Sequence, residues 1–186
     1  MEEKPIVLMG VRILRPWEAN ALIRAIKKPD YQIMFKALLF SGMRYVEMQR
    51  FQRHPEWFDG KHIHLPREAV KKAKRKQKER WVRLNPRGEE VISAFLRLNK
   101  PLPTWQTWRE NLRRWGESAG LDPVGLSPKT TRKTWESWLA FYYPQHLHLI
   151  LLSQGHTALT SIQHYLNMPF TERDKMEMRE FVEGWV

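Results

Sequence analysis

The sequence contains no cysteine, so disulfide bonds and thiolate chemistry are excluded. It also lacks any uninterrupted apolar run near the roughly 18 residues needed to cross a bilayer. Residues 1–10 carry acidic side chains ahead of a short apolar patch, which is unlike a signal peptide. No internal repeat is visible, and the one low-complexity stretch is a basic run. These absences favour an intracellular protein without a membrane span.

Acidic residues are scarce relative to basic ones. There are 32 Lys and Arg against 20 Asp and Glu, a formal net charge of +12. Such a surplus on a folded domain suits a polyanion, most commonly DNA or RNA, with a membrane surface as the lesser alternative. A hydrophobic content of 42% with nine Trp indicates a packed core. A length of 186 residues suits a single domain, or one domain with a small appendage.

Apolar residues recur at helical spacing along most of the chain, which predicts a mainly α fold with a small antiparallel β-sheet, that is, α+β. A break is expected in the second helix at Ser41-Gly42, since glycine weakens a helix interior. The predicted helices cover residues 16–26, 31–50, 89–98, 105–119, 127–143, 146–152, 157–166 and 171–185.

The predicted sheet occupies residues 56–85. Trp57 to Lys61 reads as strand, turn and strand, with Asp59-Gly60 as the turn signal. Ile63 and Leu65 alternate with histidines, as expected of a half-buried strand. Two further strands are predicted at residues 68–73 and 80–84, joined by a charged hairpin tip at residues 74–79.

The stretch from Ser153 to Asn167 contains a candidate nucleophile. Thr157 can cap a helix in which Leu159, Ile162 and Leu166 form an apolar stripe. Tyr165 lies beside this stripe, so its ring is expected in the core with its hydroxyl reaching outward. Taken alone, the pattern equally describes a buried tyrosine near a loop histidine, His156.

Two cations open a later helix. Ser127-Pro128 is a typical helix start, and Lys129 and Arg132 follow on one face of the first turns. The free amides and positive dipole end of a helix N-terminus favour an anion such as phosphate. The alternative is a solvated basic turn. Arg44, after the break at residue 42, must snorkel or pair, and Glu47 one turn on is a ready partner.

Together these pieces resemble the catalytic domain of the tyrosine recombinases, the phage-type integrases. Residues 41–48 resemble the first-arginine box of that family and contain Arg44. Lys129-Thr130-Thr131-Arg132 stands where the second box has His-x-x-Arg. Gly155-His156 resembles the third box, and Tyr165, nine residues later, matches the spacing of the nucleophile.

The resemblance covers residues 14–167 and includes the basic hairpin, which resembles the lysine-bearing β-hairpin of the family. Lys129 departs from the usual histidine, a variant found among archaeal virus and plasmid integrases. The change replaces a group that titrates near neutrality with a fixed cation. The family's N-terminal DNA-clamping domain is not recognisable, so residues 1–186 are expected to be one catalytic domain, with residues 171–186 as a C-terminal helix.

The resemblance implies a mechanism. Tyrosine ionises near pH ~10 and is a poor nucleophile without assistance. Tyr165 would attack a DNA phosphodiester while Arg44 and Arg132 clamp the non-bridging oxygens and Lys129 and His156 add hydrogen-bond donors. The product would be a 3′-phosphotyrosyl link and a free 5′ hydroxyl, formed without metal, ATP or another cofactor.

A lysine of the hairpin would protonate the leaving 5′ oxygen. Lys74 is the first choice and Lys76 the second, because hairpin length blurs the register. Recombination implies double-stranded DNA as partner and a homotetramer on paired sites, with a monomer or dimer when free. The residues expected to contact DNA in this region are Lys72, Arg75, Lys76, Lys78 and Arg80.

Three alternatives remain open. A type IB topoisomerase shares the chemistry but acts as a monomer. A non-catalytic DNA-binding module needs only the basic residues between Arg67 and Arg87. A metal-dependent nuclease could use His62 with His64, or His146 with His148, although no carboxylate cluster accompanies either pair. The C-terminal helix suits docking on a neighbouring protomer or on its own domain equally well.

Overall fold

The structure is a computed structural model that describes residues 4–69, 78–158 and 160–186. Its strands are β1 (Ile6–Leu8), β2 (Val11–Ile13), β3 (His62–Leu65) and β4 (Arg80–Arg83). Its α-helices are α1 (Pro16–Ala25), α2 (Pro29–Ser41), α3 (Tyr45–Phe51), α4 (Pro86–Leu96), α5 (Trp105–Ser118), α6 (Thr130–Tyr142), α7 (Leu147–Gln154), α8 (Thr160–Gln163) and α9 (Glu172–Val182). The predicted α+β class, mainly helical with little sheet, is confirmed.

Two antiparallel strand pairs flank the helices. In the first pair, β1 and β2 form a hairpin with Ile6 opposite Ile13, which the sequence patterns did not predict. In the second, β3 pairs with β4, with Ile63 opposite Val82. Ile63 and Leu65 are fully buried while the histidines between them are half-exposed, so the predicted alternation is confirmed.

Helix α6 is the centre of the core. It packs against α2, α7, α9 and strand β2, and Trp135, Trp138 and Leu139 are fully buried along it. Its polar groups also hold the N-terminal hairpin: the Thr134 hydroxyl accepts from the Leu14 amide at 2.9 Å, and the Trp138 indole donates to the Leu14 carbonyl at 2.9 Å. Side chains on α6 therefore have fixed positions relative to several distant parts of the chain.

The predicted break at residue 42 is confirmed. Gly42 ends α2 with φ +61°, a left-handed conformation that favours glycine. A Cβ there would also lie 2.6 Å from Cδ1 of Trp135. The chain therefore turns tightly against α6, and Arg44 becomes the residue preceding α3.

Several predicted boundaries are wrong. Helix α6 begins at Thr130, two residues after the predicted Pro128, because the Ser127–Lys129 segment forms a turn. Trp57 lies in a 3-10 turn, Pro55–Trp57, with one β-bridge from Phe58 to Ile63 in place of the first predicted strand. Residues 68 and 69, predicted as strand, belong to the 3-10 turn Arg67–Ala69, whose last amide bonds the Pro66 carbonyl. The rest of that predicted strand lies outside the described residues.

The segment around Tyr165 also differs from prediction. Residues 160–163 form the short helix α8, and His164–Asn167 continue as a 3-10 helix. Ile162 is fully buried, but Leu166 is exposed, since the change to 3-10 geometry rotates it off the buried face. Leu159, the third member of the predicted stripe, lies outside the described residues.

The C-terminal helix α9 packs on its own domain. Phe181 and Trp185 are buried, Asp174 pairs with Arg15 before α1, and the Asn85 amide donates to the Phe181 carbonyl at 2.6 Å. Within one chain the helix contacts α6 and α1, and docking on a neighbouring protomer stays a prediction. Within the described part of the chain, no helix combines the length and apolarity needed to cross a membrane.

Candidate active site

Five side chains that the sequence marks as catalytic line one cavity of about 480 Å³: Arg44, Lys129, Arg132, His156 and Tyr165. They come from the start of α3, the first turns of α6, the loop after α7, and the 3-10 helix that follows α8. Lys133, Glu136 and His164 line the same cavity. The sixth predicted catalytic residue, Lys74, lies outside the described residues, as do Lys72, Arg75 and Lys76.

Arg132 joins the ends of two helices. Its Nη1 donates to the Gly42 carbonyl at 2.9 Å, and its Nη2 donates to the Gln154 carbonyl at 2.5 Å. These carbonyls belong to the C-terminal ends of α2 and α7, where a cation meets the negative end of each helix dipole. Burial lowers the pKa of Arg132 to about 10, against the opposing effect of Glu136, so the guanidinium stays charged at neutral pH.

Arg44 pairs with Glu47, as predicted, at 2.9 Å. Glu47 is fully buried, and it also binds Arg80 through both oxygens at 3.0 and 2.7 Å. Burial alone would raise the pKa of Glu47, but Arg80, Arg132 and Arg44 outweigh it and lower the pKa to about 2. The carboxylate therefore remains ionised and holds Nη1 of the Arg44 guanidinium, while the Arg44 side chain is 23% exposed.

Two lysines at the start of α6, Lys129 and Lys133, also line the cavity. Lys129 immediately precedes α6, and its amide bonds the Ser127 hydroxyl at 3.3 Å. Lys133, which sequence reasoning did not single out, has its ammonium 5.9 Å from the centroid of the Tyr165 ring. Burial lowers the pKa of Lys133, as do the neighbouring cations Lys129 and Arg132, while Glu136 acts in the opposite direction. The cavity is therefore strongly cationic.

The Tyr165 hydroxyl does not reach outward, contrary to prediction. Tyr165 is 2% exposed and its hydroxyl donates to Oε2 of Glu136 at 3.0 Å. Oε1 of the same carboxylate lies 2.9 Å from Nη2 of Arg132 and 2.9 Å from Nε2 of His156. The reason for the difference is this buried acid on α6, whose position the sequence pattern around Tyr165 does not reveal.

The pKa values of Glu136 and Tyr165 are shifted in opposite directions. Burial alone would raise the pKa of Glu136, but Arg132, His156 and the Tyr165 hydrogen bond lower it to about 2. The pKa of Tyr165 is raised, first by burial and then by the charge and hydrogen bond of Glu136. The pair at neutral pH is therefore a carboxylate and an intact phenol.

The predicted DNA-binding residues that the structure describes have different surroundings. Lys78 is exposed. Arg80 is 7% exposed, and its guanidinium is engaged by Glu47 and by the Ser153 carbonyl at 3.0 Å. A Cβ at Gly155, where φ is +69°, would lie 2.8 Å from Cδ of Arg80. Arg80 thus fixes the turn that carries His156, and its assignment as a DNA contact stays a prediction.

The histidine pairs considered as metal ligands have other neighbours. The His64 ring stacks on Trp81 with centroids 4.4 Å apart, and its Nε2 lies 3.0 Å from Glu79. Across residues 4–69, 78–158 and 160–186, no group of three or more potential ligands is suitably placed to hold a metal ion.

Sequence reasoning missed three contributors to the site: Lys133, Glu136 and Gln154. One signal was available for Glu136, because it stands four residues after Arg132 and the two must share a helix face. A carboxylate beside Trp135 and just ahead of Trp138 and Leu139 is a second signal, since a charge among apolar residues requires partners if it is buried. Gln154 gave none, because its contact with Arg132 joins two distant helices.

Known proteins that resemble this chain are found by comparing structures. No protein-family model matches the chain, and no curated protein matches it. The XerA recombinase structure is similar with a TM-score of 0.65 and 18% identity, over 94% of this chain and 66% of that one. The XerH site-specific recombinase in a post-cleavage complex with its palindromic difH substrate gives 0.61 and 18%, over 96% and 54%.

A third similar structure is the Tn1549 transposon integrase in complex with transposon right end DNA. It gives a TM-score of 0.64 and 15% identity over 96% of this chain and 67% of that one. The chain therefore spans between about half and two thirds of the length of these proteins. At this level of identity the likeness is one of fold: the chain has the fold of tyrosine recombinase catalytic domains.

Proposed function

We propose that the protein is a site-specific DNA recombinase that cleaves and rejoins DNA strands through a covalent 3′-phosphotyrosine at Tyr165. One observation carries the proposal. Arg44, Lys129, Arg132, His156 and Tyr165 lie in four separate segments of the sequence, and all five line a single cavity. A set of core or surface residues would have no reason to converge in this way.

The proposed chemistry assigns a role to each group. The Tyr165 oxygen attacks the phosphorus and loses its proton to water, the bond to the 5′ oxygen breaks, and the DNA strand is held as a phosphotyrosyl ester. Negative charge grows on the non-bridging oxygens, where Arg44 and Arg132 act as always-charged donors. Lys129 and His156 add further hydrogen bonds. A hairpin lysine, Lys74 or Lys76, gives its proton to the leaving 5′ oxygen.

The reaction needs no metal or ATP in this proposal, because the phosphotyrosyl ester keeps the energy of the phosphodiester for rejoining. The 5′ hydroxyl of a second DNA reverses the attack and completes strand exchange. Lys129 in place of the usual histidine supports a likeness to archaeal virus and plasmid integrases. The protein would act on double-stranded DNA as a tetramer.

The cationic surface beyond the cavity supports DNA as the partner. A neighbouring groove shares Met9, Trp105 and Lys129 with the cavity, and exposed Arg109 and Arg113 of α5 line it. Phosphates flanking the cleaved one would meet these arginines on this side, and Lys78 on the hairpin side. The net charge of +12 fits contacts over several phosphates.

Substitution of Tyr165 by Phe tests the proposal. A pool of nicked suicide duplexes, randomised around the nick, is incubated with the protein and resolved on a denaturing gel. The wild type should form a covalent protein–DNA adduct that EDTA does not prevent. Tyr165→Phe should bind DNA equally and form no adduct, because only the attacking oxygen is lost.

Tyr142→Phe is the matched control, since it removes a phenol oxygen elsewhere on the same domain and should keep the adduct. An adduct in the Tyr165→Phe protein would identify a different nucleophile. DNA binding without any adduct in the wild type would instead indicate a non-catalytic DNA-binding module.

A further inference from the structure

Glu136 is the one acidic side chain among the described residues that line the cavity. Its exposure is 2%, and all around it are groups that the proposed reaction needs. Oε1 contacts Arg132 and His156, and Oε2 accepts the hydrogen bond of Tyr165. Because desolvating charges is costly, a buried ion pair adds little net stability compared with apolar packing, so stability alone does not account for an acid at this position.

The contacts of Glu136 are those expected of a bound phosphodiester. A carboxylate and a phosphodiester each present two oxygens that share one negative charge. In the proposed reaction the phosphate oxygens need Arg132 and His156, and the phosphorus must lie against the Tyr165 oxygen. Glu136 already meets all three groups in the DNA-free protein.

The geometry points to Glu136 as a positioning residue that takes the place of the substrate phosphate, holding Tyr165 and Arg132 in a resting arrangement until DNA displaces it. This inference rests on the proposed function. A second anion arriving at Arg132 repels the carboxylate and competes for the same donors. The side chain must then release Tyr165, so the nucleophile is freed only when a phosphate occupies the cavity.

Glu136 is poorly suited to the other role it could have, that of a general base. Its pKa is lowered to about 2, while the pKa of the Tyr165 phenol is raised, so proton transfer between them is strongly uphill. The charged and titratable groups that face the phenol are Glu136, Arg132 and Lys133 on α6, His156 after α7, and the adjacent His164. Among them, Glu136 is the group that keeps the phenol protonated.

Glu136→Gln tests the inference, because it keeps the size of the side chain but removes the charge and replaces one acceptor oxygen by an NH2 donor. Tyr165 should then lose its proton at lower pH than in the wild type. The measurement is the ultraviolet titration of each DNA-free protein minus that of its Tyr165→Phe counterpart. On saturating nicked DNA the adduct should form about tenfold faster, the effect expected of one charge-assisted hydrogen bond.

Two further variants make the test decisive. Glu136→Asp keeps the charge but is one methylene shorter, so it cannot reach both Arg132 and Tyr165, and a smaller rise in rate is expected. Glu90→Gln makes the same chemical change at an exposed position of α4 and should alter neither readout. Thermal melting shows which variants are folded. If Glu136→Gln does not fold, the rate of adduct formation by Glu136→Asp tests the inference alone.

Slower adduct formation by folded Glu136→Gln and Glu136→Asp would overturn the inference, since Glu136 would then assist the chemistry. Failure of the proposed function looks different: the wild type itself forms no adduct. In that case the ultraviolet titration of Tyr165 still tests the contact between Tyr165 and Glu136. If Tyr165 loses its proton at the same pH in Glu136→Gln as in the wild type, the inference is overturned too. Loss of the proton at lower pH would support it.

Discussion

Arg132 has two tasks in this fold, and both use the planar, multiply donating shape of its guanidinium. It binds the carbonyls of Gly42 and Gln154, and it faces the cavity beside Glu136. The first task stabilises the ends of α2 and α7. In the proposed reaction, the second lets the guanidinium bind a phosphate, where a charge-assisted bond would strengthen as negative charge develops.

Replacement of Arg132 should therefore slow cleavage far more than it weakens DNA binding. We expect Arg132→Ala to lower the rate of adduct formation by roughly 10²–10³, as with the loss of other transition-state donors. Affinity for DNA should fall less than about tenfold, because other phosphate contacts remain. Single-turnover rates at saturating DNA and gel-shift titrations measure the two separately.

Arg132→Lys is the matched control, because it keeps the charge and loses the fork, so its rate should lie between wild type and Arg132→Ala. Both variants also lose helix-end contacts, so melting curves must accompany the kinetics. Equal losses in rate and affinity would contradict a transition-state role for this side chain.

At the scale of elements, Glu47 holds three segments together. It lies in the first turn of α3, where its carboxylate accepts a hydrogen bond from the Arg44 amide at 3.0 Å, and it binds Arg80 on β4. Arg80 in turn donates to the Ser153 carbonyl near the end of α7. One buried carboxylate thus fixes the mutual positions of the Arg44 and His156 segments.

The lowered pKa of Glu47 makes this junction sensitive to acid. Its stabilising contribution is present above the ordinary pKa of 4.5 and is lost as pH falls toward the folded-state value of about 2. Glu47→Gln should lower the free energy of unfolding by about 3–5 kcal/mol at neutral pH, since it leaves Arg80 buried without its charge partner.

Urea unfolding followed by circular dichroism between pH 7 and pH 3 measures this effect. The difference between wild type and Glu47→Gln should shrink as pH falls below about 4.5. Glu136 titrates in the same window but is present in both proteins, so it cancels. Glu90→Gln, on the surface of α4, should match the wild type, and a constant difference at all pH values would refute the assignment.

At the scale of the whole molecule, five of the six predicted catalytic residues of one chain line a single cavity, and the sixth, Lys74, lies outside the described residues. Arg132 and Tyr165 of the same chain line one cavity and share Glu136 as a partner. Helix α9 also packs on its own domain, with Phe181 against Trp138 at a centroid distance of 4.8 Å. This arrangement favours attack by Tyr165 on the phosphate held by its own arginines.

A mixture of Arg132→Ala and Tyr165→Phe proteins should therefore form no adduct on the suicide substrate. In such a mixture no single chain has both the nucleophile and the arginine pair, so attack within one chain is impossible. The wild type diluted with Tyr165→Phe is the control and should retain adduct in proportion to its fraction. Restored cleavage in the mixture of the two variants would show that Tyr165 acts across subunits.

Much of the fold could be predicted because its signals are local. The apolar spacing of α1, the end of α2 at Gly42 and the alternation in β3 each depend on residues within a few positions of one another. Two predictions were wrong, the start of α6 at Pro128 and the strand at residue 68. Both segments form short turns, which the local pattern does not distinguish from the end of a helix or strand. The series of arginines, lysine, histidine and tyrosine could also be recognised, because it depends only on residue types and their order in the sequence.

The sequence by itself determined which chemical groups are available and the helical class of the chain. The tertiary structure alone decided how those groups are paired. The bond between Tyr165 and Glu136 spans 29 residues, and that between Arg80 and Glu47 spans 33. No periodicity reports such contacts, because they depend on how helices pack around α6. Packing also sets the protonation of both groups: Arg132 and His156 lower the pKa of Glu136 against the effect of burial, while burial and Glu136 raise the pKa of Tyr165.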